Sequence, residues 1–326
     1  MSRPRTNPVA LLLAALCSAA ALPAAVHAQQ FPVRPVRMVV GFAAGGATDI
    51  SARSLAQKLS ETLGQQVIVD NRPGASANLA GELVARSAPD GYTLLLANAT
   101  IAMPSLFAKL PFDVQKDLRP VTLAGYGPLA LTAHPSLPVK SVKELIALAK
   151  RRPGELNYAS AGSGSFTHLG MALFVIMTGT NIVHVPYKGG APAALATMTG
   201  ETQLAFSSVG ASVPQVKQGR LRALAVSGLK PNAALPGVPT AHEAGVPGFD
   251  ATSWYGLFAP SQTPQAVIAK LGEQSVKALS DAQLKERLLS QGIEPAAGGV
   301  EEFSRYLNSE IPKWAKVIKA AAIPPQ

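Results

Sequence analysis

Two stretches of this chain could hold a small anion without offering it a charged side chain. GFAAGGATD, residues 41–49, and ASAGSGSFTH, residues 159–168, each run from an apolar strand-like segment into a helical one. Both are built largely from Gly, Ala, Ser and Thr. Glycine lets the backbone come close to a ligand and take positive φ angles. The first turn of the following helix leaves N–H groups without intrahelical partners, at the positive end of the helix dipole. Together these features make an anion site from main-chain atoms. Asp49 reads as the N-cap of the first helix, because a carboxylate there accepts from the N2 or N3 amide. Turned into the pocket, it would compete with an anionic ligand. His168 falls in the first turn after SGSFT, where it could donate to a bound anion or only pack and cap. Tyr187 and Lys188 close the segment IVHVPY just before Gly189 and Gly190, at a place from which they could reach a ligand; Lys188 reads equally as a solvated lysine.

Catalytic and cofactor signatures are missing from both turns. Gly162-x-Gly164 followed by Phe166 and Thr167 is not the dinucleotide fingerprint, and no acid follows about twenty residues on to hold a ribose. Neither turn ends in the Lys-Ser/Thr of a P-loop. Ala161 stands where a nucleophile elbow around Ser163 would need glycine. The histidines His134, His168, His184 and His242 show no metal-ligand spacing, and Cys17 is the chain's one cysteine. No catalytic residue, metal or cofactor is expected. An exported hydrolase using Ser163 or Ser165 with His168 would be the enzymatic alternative, lacking an elbow and an evident third residue.

The surrounding pattern says what must position these turns. Short apolar runs alternate with amphipathic stretches: VRMVVGF, a helix over residues 50–63, QQVIVD, the helical GELVARSA, then YTLLLAN. Continuous apolar runs are how buried parallel strands read, with crossover helices covering the sheet faces. Ala52, Leu55, Ala56, Leu59 and Leu63 form the helix's apolar stripe, and Gly64 ends it. A second series follows Ser141, the expected cap of a helix over 142–150. It reads LNYAS, a helix carrying Leu169, Ala172, Leu173 and Ile176 on one face, IVHVPY, a helix over 192–198, TQLAFSS, a short helix over 213–218, and LRALAVSG. WYGLFAP and two or three amphipathic helices complete the chain. Two α/β lobes are therefore expected in 326 residues.

Residues 1–28 have the basic start, apolar run and A-x-A-type ending (Val26-His27-Ala28) of a secretory signal peptide. A periplasmic location is expected, with cleavage near Ala28. Of the net charge of +10, two units sit on Arg3 and Arg5 within that segment. The other basic residues are scattered and aromatics are few, which argues against a nucleic-acid partner.

Several blocks carry a family resemblance. VVGFAAGGATDISARSLAQKLSETLGQQVIVDNRPGASANLAGELVARSAPDGYTLL, SVKELIALAKRRPGELNYASAGSGSFTHLG, HVPYKGGAPA, GRLRALAVSG, PTAHEAGVPGFDATSWYGLFAP and the segment around Trp314 resemble the extracytoplasmic receptors of tripartite tricarboxylate transporters, the Bug family. NRPGA, PDGYTLL and HVPYKG in this order are specific together, and the likeness covers essentially the whole chain after residue 28. It implies a type II periplasmic binding protein fold, two α/β lobes joined by crossing hinge strands with a ligand cleft between them. Lobe 1 would comprise 29–130 and 255–326, lobe 2 131–254, and the hinge would lie near 129–132 and 254–259. The resemblance places a carboxylate between Phe42, Ala44, Gly45, Gly46, Ala47, Thr48 and Asp49 on one jaw and Ala161, Gly162, Ser163, Gly164 and Ser165 on the other. Asn98, Ala99 and Ser207 would face the cleft from other strand ends. It implies a monomer that binds a di- or tricarboxylate, an acidic amino acid or an aromatic acid, and hands it to membrane permease subunits or, as a sensor, to a membrane sensor kinase. Gln203, where relatives often carry an acid, and the modest glycine content of NRPGASANLAG depart from the family pattern and bear on specificity.

Overall fold

The computed structural model describes residues 31–104, 110–320 and 323; the signal-peptide reading falls outside them. In chain order the elements are β1 (Val36–Val40), α1 (Ala47–Leu63), β2 (Val67–Asn71), α2 (Asn78–Ala85), β3 (Thr93–Asn98), β4 (Leu118–Ala133), α3 (Val142–Arg151), β5 (Asn157–Ser160), α4 (Phe166–Thr178), β6 (Val183–Pro186), α5 (Gly190–Met198), β7 (Leu204–Ser208), α6 (Val209–Lys217), β8 (Arg222–Val226), β9 (Thr252–Pro260), α7 (Gln265–Ser280), α8 (Ala282–Ser290), β10 (Glu294–Gly298) and α9 (Val300–Ala320). No helix among the described residues is long and apolar enough to cross a membrane.

The strands follow the order β2-β1-β3-β9-β4-β7-β5-β6, with β10 and β8 also paired to β4. Two parallel triplets stand out. β1 lies between β2 and β3, and β5 lies between β6 and β7, all in parallel register. Each triplet repeats the strand–helix–strand unit that the alternating apolar runs require, and the carboxyl ends of β1, β3, β5 and β7 are where such sheets take ligands. The stripe on α1 behaves as read: Ala52, Leu55, Ala56, Leu59 and Leu63 are buried. Ser141 caps α3 as expected, accepting from the Glu144 amide at 3.2 Å.

β4 joins the triplets. Residues 118–128 pair with β9, and residues 129–133 pair with β7. The change of partner falls at Pro128–Leu129, at the edge of the expected hinge. Residues 255–258 of β9, by contrast, are paired on both sides, to β3 and β4. The chain crosses back just before them, where the Ala251 amide donates to the Ser227 carbonyl at 2.9 Å. α9 packs over this junction. Buried Glu310 accepts from the indole N–H groups of Trp254 (3.2 Å) and Trp314 (2.9 Å), and the Trp314 ring meets Phe166 edge-on at 4.9 Å.

Candidate ligand-binding cleft

The first wall of the cleft is the turn from β1 into α1. It begins at Gly41, where a side chain would fall 2.6 Å from the Cα of Ala77, so only glycine lets the strand end lie against that segment. Gly45 takes φ 82°, a region glycine enters freely. α1 then starts with Gly46 in the N-cap position and no side-chain cap. The N–H groups of Ala47, Thr48 and Asp49 consequently make no hydrogen bond to a described residue.

Asp49 is not the N-cap. The helix starts three residues earlier than the sequence reading placed it, and Asp49 is its third residue, within the first turn and buried. Its carboxylate reaches back beneath the loop and accepts from the Gly45 amide at 2.9 Å, from Arg53 Nε at 3.0 Å and from Asn71 Nδ2 at 2.9 Å. Asn71 Nδ2 also donates to the Phe42 carbonyl at 3.0 Å. Burial pushes the Asp49 carboxyl up, but the hydrogen bonds from Arg53, Gly45 and Asn71 outweigh it and hold the group below its ordinary range. Asp49 and Asn71 thus shape the loop from behind.

The second glycine-rich turn is spent differently. The amide of Ala161 donates to Thr167 Oγ1 (2.9 Å), that of Gly162 to Ser160 Oγ (3.2 Å), and that of Gly164 to His168 Nδ1 (3.0 Å). Ser165 caps α4 by accepting from the His168 amide at 3.3 Å. Most of the donors expected to grip a ligand from this jaw are already paired. A bare helix start does exist on this side, at α5: Gly189 is its N-cap with no side-chain cap, and the amides of Gly190 and Ala191 bond to no described residue.

Between the walls lies a cavity of about 350 Å³, in the range of small-ligand sites. Of the residues named from the sequence, Phe42, Ala44, Gly45, Gly46, Ala47, Thr48, Asn98, Ala161, Ser165 and Ser207 line it. Asp49, Ala99, Gly162, Ser163, Gly164, His168, Tyr187 and Lys188 do not. The hydroxyl of Tyr187 donates instead to Glu201 at 2.8 Å, and Lys188 is exposed. The sequence reading missed the start of α5, Leu129, Phe166, Phe206, Gln215 and Tyr255. The Gly-Gly pair after HVPYK was the available signal. Among the described residues no Lys, Arg or His lines the cavity, and no group of three or more His, Cys, Asp or Glu could hold a metal.

Contacts join the two sides of the cleft. Ser76 Oγ donates to the Ser163 carbonyl at 2.7 Å, and the Phe166 amide donates to Thr100 Oγ1 at 3.2 Å. The hydrolase reading has no dyad to work with. The His168 ring takes the Gly164 amide and stacks on His184 with centroids 3.8 Å apart, while Ser160, 2.6 Å from His184 Nε2, is fully buried.

Burial pushes His168 down to about 3, with a further push from the neighbouring His184, and burial pushes His184 down to about 4. Both rings are neutral in the folded protein, whereas the unfolded chain takes up their protons below about 6.5. Stability is therefore expected to fall as pH drops from about 6.5 toward 3. His168 alone accounts for about 2 kcal/mol by pH 5. Urea unfolding at pH 7.5 and pH 5 checks this, and His168→Gln should flatten the slope; an equal slope in both proteins would contradict it.

Three comparisons set these features beside known proteins. Residues 51–323 match the model of the tripartite tricarboxylate transporter family receptor. Protein BugT of Bordetella pertussis is 37% identical over 303 residues, spanning 92% of this chain and 93% of that protein. Among solved structures, R. palustris Rpa4515 with adipate is 38% identical with a TM-score of 0.87, covering 91% of this chain and 100% of that one. MatC of Rhodopseudomonas palustris with bound malate is 34% identical with a TM-score of 0.82, covering 88% and 100%. The α/β fold of periplasmic binding proteins expected from the sequence is the one these likenesses show.

Proposed function

This chain belongs to the tripartite tricarboxylate transporter receptor family, and from that premise we propose that it captures a small carboxylate in the periplasm and delivers it to membrane permease subunits. The observation that carries the proposal is the uncapped start of α1, whose amides, free of any described residue, open on a cavity that no cationic side chain lines among the described residues. Such a start attracts an anion by its dipole and by donors that need an acceptor. The adipate and malate held by two relatives are carboxylates of the kind this arrangement would accept.

The mechanism is binding and closure, with no bond made or broken. Charge-assisted hydrogen bonds contribute about 1.5 to 3 kcal/mol each and a helix terminus roughly 0.3 to 2. After the costs of ordering and docking, a few of them amount to a micromolar dissociation constant, about −8 kcal/mol. Lobe 1 (29–130 and 255–326) and lobe 2 (131–254) would move about the two crossings, at Pro128–Leu129 and near Ala251, and the closed monomer would present one surface to the permease.

A thermal-shift screen of the purified protein tests the reading. At least one acid among adipate, malate, citrate and benzoate should raise the unfolding temperature in a concentration-dependent way. Stabilisation by neutral sugars or amines with no response to any carboxylate would overturn it.

A further inference from the structure

Polar side chains on the cleft wall fall into two groups. Asn98 Nδ2 donates to Thr48 Oγ1 at 3.3 Å, Thr167 Oγ1 accepts from the Ala161 amide at 2.9 Å, and Ser208 Oγ accepts from the Ala211 amide at 3.4 Å. Those three serve the protein's own turns and helix starts. Ser207, Ser253 and Tyr255 also line the cavity, and their hydroxyls make no hydrogen bond to a described residue. The three residues are 7%, 3% and 4% exposed. Their oxygens are nevertheless not sealed, since the fully enclosed, unpartnered side-chain atoms among the described residues are Gln215 Oε1, Thr263 Oγ1 and Ser275 Oγ. The little surface the three hydroxyls keep faces the cavity.

The sheet groups them. Ser253 and Tyr255 are alternate residues of β9 and share its cleft face, while Trp254 between them points the other way, to Glu310. On β4, Gly125 is the partner of Tyr255 and Gly127 the partner of Ser253. A side chain at Gly127 would begin 2.9 Å from Cε2 and 3.3 Å from the hydroxyl oxygen of Tyr255. The phenol therefore lies along the sheet over bare Gly127, toward Ser253, and a side chain there would displace it. Ser207 adds its hydroxyl from β7, which becomes the partner of β4 from Leu129 onward.

Burial pushes the Tyr255 phenol up, so it keeps its proton and remains a donor. Buried hydroxyls without partners are costly. An apolar ligand end would leave all three unpaired, and an ammonium would find no Asp or Glu on the wall among the described residues. A carboxylate offers about four acceptor sites, enough for every one of them.

We propose that Tyr255 is a specificity-determining residue that, with Ser253 and Ser207, receives the second carboxylate of an acid whose first carboxylate sits at the start of α1. This rests on the carboxylate-receptor reading above and narrows its ligands to acids with at least two carboxylates, sorted by neutral hydroxyls on the strands that meet at the crossing.

Titration calorimetry of the purified protein with succinate, malate, citrate and adipate, and with the monoacids butanoate and hexanoate, tests the proposal. The tightest of the four polyacids should bind at least about tenfold more tightly than either monoacid. A hydrogen bond to a charged group corresponds to about ten- to a hundredfold in affinity, so Tyr255→Phe should weaken that polyacid by about that much and collapse its preference over the monoacids. The same variant without ligand should keep its urea midpoint or raise it, because no hydrogen bond to the protein is lost. A lower midpoint would show that the hydroxyl is held by the fold and would overturn the proposal, as would a Tyr255→Phe protein that keeps full affinity. Should the variant fail to fold, the comparison of polyacids with monoacids on the unaltered protein still decides. A monoacid, benzoate included, that equals or exceeds every polyacid would remove this proposal and leave the receptor reading intact. Silence toward every carboxylate would remove both.

Discussion

Gly46→Asp is expected to abolish carboxylate binding while leaving the protein folded. Gly46 has φ −79° and ψ 166°, ordinary extended backbone for any residue. A side chain there would meet only the Ala43 carbonyl oxygen, 3.6 Å away. An aspartate in that N-cap position accepts from the amides of the first turn, which are the same donors the ligand needs. It also sets a fixed negative charge where the ligand's charge must sit. A loss of at least about a hundredfold in affinity is expected, or about 2.8 kcal/mol. Stability should change by only a few tenths of a kcal/mol, the usual difference between glycine and a better cap. Gly46→Ala cannot cap and should bind almost normally. Titration calorimetry alongside urea unfolding separates the two effects; binding that survives in Gly46→Asp would show that the α1 amides are not the receptor.

The largest loss of stability is expected from Glu310→Ala. Glu310 is 3% exposed and accepts from two buried indoles, one on β9 and one on α9. Removing its carboxylate leaves two buried donors unpaired, each costing roughly 1 to 3 kcal/mol. A net loss of about 3 kcal/mol is expected, read as a lower urea midpoint with an unchanged slope. Glu310→Gln keeps an acceptor and should lose about 1 kcal/mol. Equal midpoints for the two variants would mean that acceptance from the indoles is not what matters. The consequence extends to the cleft, because Trp314 also packs on Phe166, which lines it.

The parallel triplets were legible because their strands are uninterrupted apolar runs and their helices carry clean stripes. β4 was not. Pro120, Gly125, Gly127 and Pro128 break its pattern, and such residues read as turns or edges. The folded strand absorbs them through register shifts between Pro120 and Thr122 and between Leu123 and Gly125. At Gly125 the carbonyl of Glu294 on β10 stands 2.7 Å from where a side chain would begin. That requirement for glycine comes from a partner strand far along the chain, and the local sequence carries no sign of it. β10 itself contains a proline and turns through Ala297 at φ 49°, so it offers no alternation to find.

The site divides in the same way. The turn at 41–46 was readable because glycine clustering before an amphipathic helix is a local signal. Asp49 was misplaced because nothing local says that Ala47 and Thr48 are already helical, or that Asn71 and Arg53 wait for its carboxylate on the inner side. The second turn looked equally generous with its amides. Whether they remain free depends on Ser160, Thr167 and His168 folding back onto them, which only the closed loop decides. The start of α5 was overlooked because its cap is a bare glycine, with no polar residue to mark a boundary.

A crystal structure of the protein with a bound carboxylate bears most directly on the receptor chemistry. The carboxylate oxygens should lie about 3 Å from the amide nitrogens of Ala47 and Thr48, directly or through one water, with the start of α5 closing from the other side. A carboxylate held by a lysine or arginine side chain, or by the 161–165 turn with the α1 amides facing away, would contradict it.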